Sequence, residues 1–402
     1  MTWRDVCEYG SSRERAADRM DEPNDVLTVG VAVIGAGLVG GELLDQIDAQ
    51  AKALRGVYGV AVCVHAIASS TRMRLSSADA PEQRGIELSV WRTEWEAGGG
   101  SVALDLDVLV AHLKQNSPHV IVCDCTASEL VSQHYCGWLS QGVHVVTPNK
   151  KANSSTTQQY KALRTAQRQG PRSTHFLYEA NVGAGLPILS TIRDFQRTGD
   201  TFLEIAGVFS GTLSFIFNSF DGSRPFSEIV AAAKLSGYTE PDPRDDLSGM
   251  DVARKVVILA REIGLEVELD QVPVKSLVPQ ALGGPDVSTA TFMDRLPEFD
   301  SELAVMASEA AQRKERLRYV GWINVNSKTC GVELKAFPES HPFGALEGSD
   351  NIVLFRTRRY DAQPLTIRGP GAGAAVTAAG VFADVLRVVS YLGAPARAIA
   401  SE

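Results

Sequence analysis

Short apolar runs alternate with helical patterns over the first part of the chain. The apolar runs are typical of buried strands, and they lie at 29–36, 58–68, 107–110, 119–123 and 143–146. After the first run the apolar residues recur at the spacing of one helix face, at Leu38, Leu43, Leu44 and Ile47. Alternating strands and helices predict a doubly wound α/β domain, which we place at 29–180.

A different pattern begins near residue 181. A helical pattern there carries Pro187 near its first turn, where proline is tolerated. Residues 318–337 and 351–356 alternate between apolar and polar positions, as strands with one buried face do. We therefore expect a second domain of the α+β class at 181–360.

The two ends of the chain differ from both domains. Residues 361–402 contain a glycine-rich turn and then a helical pattern rich in Ala and Val. Small side chains allow close packing, so we expect this C-terminal segment to pack back on the first domain. Residues 1–28 are polar and of mixed charge, and we interpret them as a flexible N-terminal extension.

Composition narrows the kind of partner. The chain has 402 residues, 39 of them basic and 48 acidic, for a net charge of −9, and an acidic chain without a basic run argues against nucleic-acid binding. No apolar run reaches the roughly 20 residues of a membrane helix, and residues 1–28 lack the apolar core of a signal peptide. The six cysteines are scattered, which predicts reduced thiols, and neither they nor the seven histidines have metal-site spacing. We expect a cytoplasmic protein with a small-molecule substrate and no nucleic-acid or membrane partner.

A glycine-rich loop follows the first predicted strand. Gly35, Gly37 and Gly40 spell G-A-G-L-V-G, directly after a strand and at the start of a helix. The first glycine allows a tight turn, the second lets a pyrophosphate approach the backbone, and the third lets the helix pack on the strand. The alternative is a tight turn without a ligand. We favour a dinucleotide in a Rossmann-type domain and assign to its site Gly35, Gly37, Leu38, Val39 and Gly40.

The end of the second predicted strand bears on the choice of dinucleotide. NAD-binding loops usually place a carboxylate there, to bind the ribose hydroxyls. This chain instead has "ASSTRMR" at 68–74, which includes Ser70 and Arg72. A hydroxyl and a guanidinium suit a 2′-phosphate, so we predict NADP, with NAD as the alternative. Arg72 taken alone is nearly as well explained as a solvated loop cation.

Charged residues concentrate at 237–255, in "GYTEPDPRDDLSGMDVARK". Its first part is too rich in Gly, Pro and Asp for regular structure, and a helix with a glycine stop at Gly264 follows. One arc of that helix carries Asp251, Arg254, Lys255, Arg261 and Glu262. An ordinary solvated face would explain this arc as well as catalysis does.

The loop before the helix shifts the balance towards a site. Glu240, Asp245 and Asp246 add carboxylates at a turn that prolines restrain. Carboxylates bind the ammonium of an amino-acid-like ligand, and a lysine donates to its carbonyl or hydroxyl oxygen. A second basic pair, Lys150 and Lys151, follows a predicted strand, at the edge where open α/β sheets bind ligands. The alternative is a pair of solvated loop lysines.

These features together resemble the homoserine dehydrogenase family. The matching stretches are "VIGAGLVGGELL", "VTPNKKANS", "YEANVGAGLPI", "FSGTLSFIFN", "GYTEPDPRDDLSGMDVARKVVILARE" and "RGPGAGAAVTAAGVFAD". They run from about residue 29 to 394, and they are most similar to the dehydrogenase half of bifunctional aspartate kinase–homoserine dehydrogenases. The resemblance implies reversible NAD(P)H-dependent reduction of L-aspartate 4-semialdehyde to L-homoserine, in threonine, methionine and isoleucine biosynthesis. It also implies a homodimer joined through the second domain.

The resemblance assigns roles to particular residues. Lys255 matches the family's acid/base lysine, Lys150 the second lysine near the reacting oxygen, and Asp251 the aspartate that supports Lys255. The substrate-binding positions are Glu240, Asp246, Gly211, Thr212 and Tyr238. The cofactor set gains Thr126 beside the nicotinamide, Lys150, and Gly371 in the C-terminal glycine-rich turn. A monovalent cation, Na⁺ or K⁺, is implied at Glu179 with the backbone carbonyls of Val182, Ala184 and Leu186.

Two other readings stay open. A related dehydrogenase that acts on another small amino-acid aldehyde or ketone would keep the same carboxylates. A non-enzymatic NADP-binding sensor would keep the glycine loop, although retention of both Lys150 and Lys255 counts against it.

Overall fold

The computed structural model describes residues 26–77, 85–171 and 174–394. Most of the predicted N-terminal extension, residues 1–25, lies outside the described residues. Residues 27 and 28 were wrongly assigned to this extension, because the first strand already begins at Leu27.

The first domain is built on a seven-stranded sheet with the order β4-β3-β2-β1-β5-β6-β7. Its strands are β1 Leu27–Ile34, β2 Val60–Ala68, β3 Arg72–Leu75, β4 Ser101–Ala103, β5 Val120–Asp124, β6 His144–Val146 and β7 Phe176–Leu177. The five strands from β2 to β7 in that order are parallel, and β3 and β4 extend the edge in antiparallel pairing. The order of the strands reverses at β1: the chain adds β2 on one side of it and later adds β5 on the other. Open α/β sheets bind their ligands at such a switch point.

Helices connect these strands. They are α1 Leu38–Tyr58, α2 Trp91–Glu96, α3 Leu106–Asn116, α4 Glu129–Gln133, α5 Tyr135–Ser140 and α6 Thr157–Gln169. The strand predicted at 107–110 is wrong, since those residues lie in α3. Asp105 caps this helix by accepting from the backbone N–H groups of Asp107 and Val108, at 2.9 and 3.0 Å. A four-residue apolar run does not distinguish a strand from one turn of a buried helix.

The second domain carries a five-stranded antiparallel sheet with the order β10-β9-β8-β11-β12. Its elements are α7 Ile188–Arg197, β8 Phe202–Val208, α8 Gly211–Ser219, α9 Phe226–Leu235, α10 Pro243–Leu247, α11 Met250–Glu262, α12 Thr289–Arg295, α13 Asp300–Gln312, β9 Glu315–Asn324, β10 Thr329–Pro338, β11 Asp350–Thr357 and β12 Leu365–Pro370. Short 3-10 turns lie at Leu88–Val90, Glu179–Asn181, Leu269–Gln271, Gln280–Leu282 and Leu296–Phe299. The predicted fold class, a Rossmann-type domain with a separate α+β domain, is confirmed.

Two boundaries differ from the sequence prediction. The segment 237–249 was expected to be a loop, but it contains α10, which Asp242 caps by accepting from the Arg244 N–H at 3.0 Å. Pro243 occupies the first position of this helix, where its missing N–H costs nothing. Residues 365–370, assigned to the C-terminal segment, form the edge strand β12 of the second sheet.

The last described helix, α14 Ala374–Tyr391, packs against α1. Its Ala378, Val381 and Val385 share a buried cluster with Leu43 and Leu44 of α1. Among the described residues it is also the one helix long and apolar enough to cross a membrane, and 44% of that stretch is buried inside the protein. A core helix passes the same length and composition test, and the contacts with α1 are those of a core helix.

One apolar core joins the two domains. It extends from Val122 in the first sheet through Ile192 of α7 and Val256 of α11 to Phe355 of the second sheet. Burying each such side chain stabilises the fold by about 1.5–3 kcal/mol. Helix α11 is therefore anchored along its apolar face, which holds its polar face in place over the cleft between the domains.

Candidate active site

The glycine loop has the geometry that its sequence predicts. Gly35 has φ +93°, and a Cβ there would lie 2.8 Å from Thr126 Cγ2. A Cβ on Gly40 would lie 2.1 Å from the carbonyl oxygen of Gly35, so the third glycine lets α1 approach the turn. A Cβ on Gly37 would meet no described heavy atom within 4 Å. The middle glycine therefore presents an open backbone surface.

The start of α1 is suited to an anion. No described side chain caps it, its first turn contains no acidic residue, and Leu38 is 86% exposed. The free N–H groups of the first turn, including those of Leu38 and Val39, carry partial positive charge. The residues present fit the pyrophosphate of a dinucleotide at this point.

Arg72 is held more firmly than a solvated loop cation. It begins β3, its Nη2 donates to the carbonyl oxygen of Trp95 at 2.7 Å, and its guanidinium stacks 4.4 Å from the centre of the Trp95 ring. Ser69 supports the same turn through its N–H, which donates to the Arg72 carbonyl at 2.8 Å. The alternative reading of Arg72 as a free loop cation is wrong. Ser70 lies in the turn just before β3.

Lys255 is buried at the polar edge of α11. Only 7% of the residue is exposed. Its Nζ lies 2.8 Å from Asp251 Oδ2 and donates to the carbonyl oxygen of Phe209 at 2.6 Å. An ammonium has three N–H donors, and two are used here, so one remains for a ligand.

Burial decides the protonation behaviour of Lys255. Burial lowers the pKa of Lys255 below its ordinary value, Asp251 opposes this, and the charge of Lys150 adds to the lowering. The effect of burial on the Lys255 pKa therefore outweighs that of Asp251. A lysine of this kind exchanges a proton more readily near neutral pH than a surface lysine does.

Asp251 joins two lysines from separate domains. Its second oxygen, Oδ1, lies 3.3 Å from Lys150 Nζ, while its Oδ2 pairs with Lys255. Burial alone would raise the pKa of Asp251, but the charges of Lys255 and Lys150 bring it well below its usual range. The carboxylate thus stays ionised, and it brings two ammonium groups to one point of the cleft.

The carboxylate loop lies beside the start of α8. Asp246 Oδ2 accepts from the Glu240 N–H at 2.8 Å, and Thr212 Oγ1 donates to the carbonyl oxygen of Tyr238 at 2.6 Å. The Tyr238 ring stacks on Phe215, with the ring centres 4.1 Å apart. Burial raises the pKa of Asp246, although its hydrogen bonds oppose this. Glu240, Asp246, Thr212 and Tyr238 are therefore one connected group, whereas Asp245 is exposed and outside it.

The C-terminal glycine-rich turn reaches the same place. A Cβ on Gly371 would lie 1.9 Å from the Asn351 side chain, and a Cβ on Gly211 would lie 3.7 Å from Ala372 Cβ. A side chain at Gly371 would overlap Asn351, whereas a Cβ at Gly211 would make an ordinary contact with Ala372. Gly211, which was assigned to substrate binding, therefore lies near the turn that contains Gly371, which was assigned to cofactor binding.

Comparison with known proteins shows to which family a chain with this arrangement belongs. A family model described as homoserine dehydrogenase matches residues 187–386, and one described as its NAD binding domain matches residues 35–177. The homoserine dehydrogenase of Schizosaccharomyces pombe is 44% identical over 372 residues, which cover 91% of this chain and 96% of the yeast protein. The chain belongs to the homoserine dehydrogenase family. The predicted resemblance is confirmed, and with it a place among NAD(P)-dependent oxidoreductases.

Longer relatives contain the same region. The chloroplastic bifunctional aspartokinase/homoserine dehydrogenase 1 of Zea mays is 51% identical over 370 residues, which cover 92% of this chain and 39% of the maize protein. The chain thus spans about two fifths of the length of the plant relatives that it matches.

Solved structures share the fold. A Candida auris protein of unknown function has a TM-score of 0.81 and 36% identity, covering 90% of this chain and 98% of its own. A hyperthermophilic archaeal homoserine dehydrogenase, solved in complex with NADPH, has a TM-score of 0.68 and 20% identity, covering 92% of this chain and 99% of its own. The archaeal likeness shows the fold alone.

The sequence prediction missed the residues that position Lys150 in this homoserine dehydrogenase fold. Asn149 Nδ2 donates to Asp124 Oδ2 at 3.0 Å and to the Ser128 carbonyl at 2.8 Å, while the Thr126 N–H donates to Asp124 Oδ1 at 2.9 Å. Burial raises the pKa of Asp124, although hydrogen bonds from Tyr135, Thr126 and Asn149 oppose it. This buried carboxylate ties the lysine loop to the loop that carries Thr126.

Arg261 was also missed. It lies on the charged arc of α11, yet it is buried, and its Nη1 donates to the carbonyls of Asn153 at 2.9 Å and Ser155 at 2.7 Å. Its Nε and Nη2 donate to the carbonyl of Val267 at 3.1 and 2.8 Å. The solvated-face alternative is wrong for Lys255, Arg261 and Glu262. Arg261 clamps the helix of Lys255 to the segment that follows Lys150.

Asn351 has a comparable role on the other side. It is fully buried, and its Nδ2 donates to the Phe209 carbonyl at 3.0 Å, the same oxygen that accepts from Lys255. Its Oδ1 is buried without a hydrogen-bond partner among the described residues. Asn351 therefore fixes the acceptor that orients the Lys255 ammonium.

The residues of the predicted cation site lie around the start of α7, and the cation itself stays a prediction. The Glu179 carboxylate accepts from the N–H groups of Leu189 at 2.6 Å and Ser190 at 3.0 Å, and it lies 2.9 Å from Arg387 Nη1. The carboxylate therefore caps the start of α7. Ala184, another assigned position, adopts a left-handed conformation with φ +53°.

Proposed function

We propose that the chain catalyses the reversible NADPH-dependent reduction of L-aspartate 4-semialdehyde to L-homoserine, a step in threonine, methionine and isoleucine biosynthesis. The observation that carries this proposal is the convergence of Lys255 and Lys150 on Asp251. One lysine comes from each domain, and the carboxylate oxygens lie 2.8 and 3.3 Å from the two ammonium nitrogens. The reacting aldehyde would sit beside this pair.

When bound, the nicotinamide supplies a hydride to the aldehyde carbon. Negative charge then grows on the aldehyde oxygen, and two ammonium groups aimed at that oxygen stabilise the transition state more than the ground state. Lys255 donates its third N–H to the oxygen and transfers that proton to form the hydroxyl. In the opposite direction the neutral Lys255 amine takes the hydroxyl proton as the hydride leaves the carbon. Aldehyde, hydride and one proton together give the alcohol.

The carboxylate loop supports recognition of the amino-acid end. Glu240 and Asp246 lie together, with the backbone N–H of Glu240 bound to Asp246. Two acids at this point attract the substrate ammonium, while Thr212 and Tyr238 hold the loop against α8. Because the ammonium end is bound here, the aldehyde end extends towards the two lysines.

We further propose NADP as the preferred dinucleotide. The support is the guanidinium of Arg72 at the start of β3, just after the end of β2, and the absence of a carboxylate in the described turn 69–71. Arg72 uses one terminal nitrogen for Trp95, which leaves its other donors for a 2′-phosphate.

A monovalent cation, Na⁺ or K⁺, is proposed at the backbone carbonyls of residues 179–186. Backbone strain at a non-glycine residue persists where surrounding structure demands it, and Ala184 has φ +53° in this loop. Activity that is unchanged when monovalent cations are replaced by a bulky organic cation would contradict this proposal.

A homodimer through the open face of the second sheet is also proposed, in a cytosolic protein. That face forms a groove of about 550 Å³, and its floor includes the partly exposed Ala206, Trp322 and Leu354. A second copy packed sheet to sheet would cover these apolar groups. Analytical ultracentrifugation that finds a monomer at micromolar concentration would rule this interface out.

The direct test of the activity is absorbance at the reduced-nicotinamide band, after protein, NADP and L-homoserine are mixed. We expect NADPH to form, and aspartate 4-semialdehyde to consume it. NADPH formation with a different amino-acid alcohol but not with homoserine would replace the substrate. Binding of NADP without turnover of any such alcohol would support the sensor reading instead.

A further inference from the structure

A second cavity, of about 440 Å³, lies away from the lysine pair. It is bounded by α6, β7, α7 and the ends of α11 and α14, and none of the described residues assigned above to substrate or dinucleotide binding lines it. Small-molecule sites commonly have volumes of roughly 300–1,000 Å³. The cavity is thus large enough for a small metabolite.

The charge of this cavity is opposite to that of the chain. Its described lining includes three guanidinium groups, Arg164, Arg193 and Arg197, against one carboxylate, Glu262. The chain as a whole has a net charge of −9. Burial lowers the pKa of His175, which also lines the cavity, so this ring adds no charge at neutral pH. The lining therefore carries an excess of two positive charges.

Two of the guanidinium groups are held in fixed planes. Arg164 lies 4.9 Å from the centre of the Tyr178 ring, and Arg193 lies 4.7 Å from the same ring. Glu262 accepts from Arg193 Nε at 2.7 Å and lies 3.9 Å from Arg164 Nη2. Arg164 also donates to Gln167 Oε1 at 3.2 Å and to the Tyr178 hydroxyl. Guanidinium groups held in this way lose little freedom when they bind an oxyanion.

Unused hydrogen-bonding groups remain around the cavity. Arg197 is exposed and donates to no described residue, and the buried Nε2 of His175 has no partner within the described part of the chain. Glu262 alone balances one of the three arginines. These groups would be satisfied by a ligand that brings about two negative charges and several acceptor oxygens.

We propose that this cavity binds a small dianion, recognised by Arg164, Arg193 and Arg197. The shared chemistry is a pair of negative charges on oxygen atoms, as in a phosphate group or a small dicarboxylate. Such a ligand would contact α6 of the first domain and α7 of the second at once. It is separate from the dinucleotide site, because no residue of the glycine loop lines the cavity.

The test is isothermal titration with inorganic phosphate and, separately, with succinate, at constant ionic strength and with NADP saturating. Saturating NADP occupies the glycine loop, so binding there does not contribute. The variants are Arg197→Gln, which removes an exposed partner and leaves the fold intact, and Arg164→Gln. The matched control is Arg168→Gln, an exposed arginine on α6 that does not line the cavity.

We expect the wild type to bind at least one of the two probes. Arg197→Gln should weaken that binding about tenfold, the value of one charge-assisted hydrogen bond at the lower end of its range, and Arg168→Gln should leave it unchanged. Phosphate binding alone identifies a phosphate ligand, and succinate binding alone a dicarboxylate. No binding to the wild type, or equal weakening by Arg197→Gln and Arg168→Gln, would overturn the proposal. Neither outcome depends on the enzyme's activity, so failure here leaves the proposed reaction intact.

Discussion

The glycine loop and the charged face of α11 meet at one cleft, but they attract charged ligands by different means. The glycine loop uses backbone: a turn at Gly35, an open surface at Gly37 and the free N–H groups of α1. The face of α11 uses side chains: Lys255 is buried, and its charge depends on Asp251 and on a carbonyl from β8's end. The glycine loop, which is the backbone half of the site, works through partial charges that need no partner. The face of α11, which is the side-chain half, works through full charges that must be paired.

The difference shows where each half is vulnerable. A backbone site fails when a glycine gains a side chain, because nothing else in it is chemically special. A site made of buried charges fails when any partner is lost, since an unpaired buried charge costs several kcal/mol. Asp251, which pairs with Lys255, also pairs with Lys150 of the first domain, so the chemistry of Lys255 depends on how the domains are joined.

Removal of Lys255 should break the side-chain half with the largest effect. We expect Lys255→Ala to lower kcat by about 10²–10⁴-fold, the usual contribution of a general acid or base, while NADP still binds. Lys255→Met, which keeps the aliphatic stem, should be equally inactive. The matched control is Lys275→Ala, whose ammonium is on the surface in the same domain. Steady-state kinetics and calorimetric NADP binding measure both.

The pH dependence of the two reaction directions also tests the role of Lys255. Homoserine oxidation needs neutral Lys255, so its rate should rise as pH increases through the lowered pKa of this group, and aldehyde reduction should fall over the same interval. Neither limb should remain in Lys255→Met. A variant that turns over like the wild type, or one that keeps both limbs, would remove Lys255 from the reaction.

The glycine loop and the face of α11 also differ in how much of each could be predicted from the sequence. The glycine loop depends on a few consecutive residues, so its turn, its open glycine and its helix packing were all readable from G-A-G-L-V-G. The sequence predicted which residues lie on the charged arc of α11, but not which of them are buried. Arg254 is half-buried at the cleft edge, whereas Lys255 and Arg261 are buried, and a helical wheel gives all three the same polar face.

The positioning residues had no local signal at all. Arg261 binds a carbonyl 108 positions away in the chain, and Asn351 binds one 142 positions away. Asn351 lies in an ordinary strand pattern, and that pattern does not indicate that its side-chain amide binds the Phe209 carbonyl. Such roles depend on tertiary contacts, and only the assembled fold brings the partners together.

Arg261 offers a sharper test of the side-chain half, with a smaller effect. Arg261→Lys keeps the charge but cannot reach the carbonyls of Asn153, Ser155 and Val267 together, so Lys150 should move relative to Lys255. We expect kcat to fall by up to about 10²-fold, because a displacement of about 1 Å can cost that much. The KM for NADP should change little, since the glycine loop is untouched.

The pH profile separates positioning from mere stability in that variant. Lys150 lowers the pKa of Lys255, so moving Lys150 away should shift the rising limb of homoserine oxidation to higher pH. The matched control is Arg254→Lys on the same helix, which loses one hydrogen bond of 3.3 Å to Ser154. If kcat falls but the limb stays in place, Arg261 serves folding and not the arrangement of the lysines.

Arg72 tests the backbone half, and its expected effect is the smallest. The glycine loop binds any dinucleotide through its pyrophosphate, so the choice between NADPH and NADH must come from side chains beside it. Arg72→Ala should raise the KM for NADPH about tenfold, the value of one charge-assisted hydrogen bond at the lower end of its range, and should leave the KM for NADH nearly unchanged. The matched control is Arg92→Ala, whose guanidinium pairs with Asp45 on the outside of α1 and should affect neither coenzyme. Equal losses for NADPH and NADH would mean that Arg72 supports the fold through Trp95, and that another group reads the 2′-phosphate.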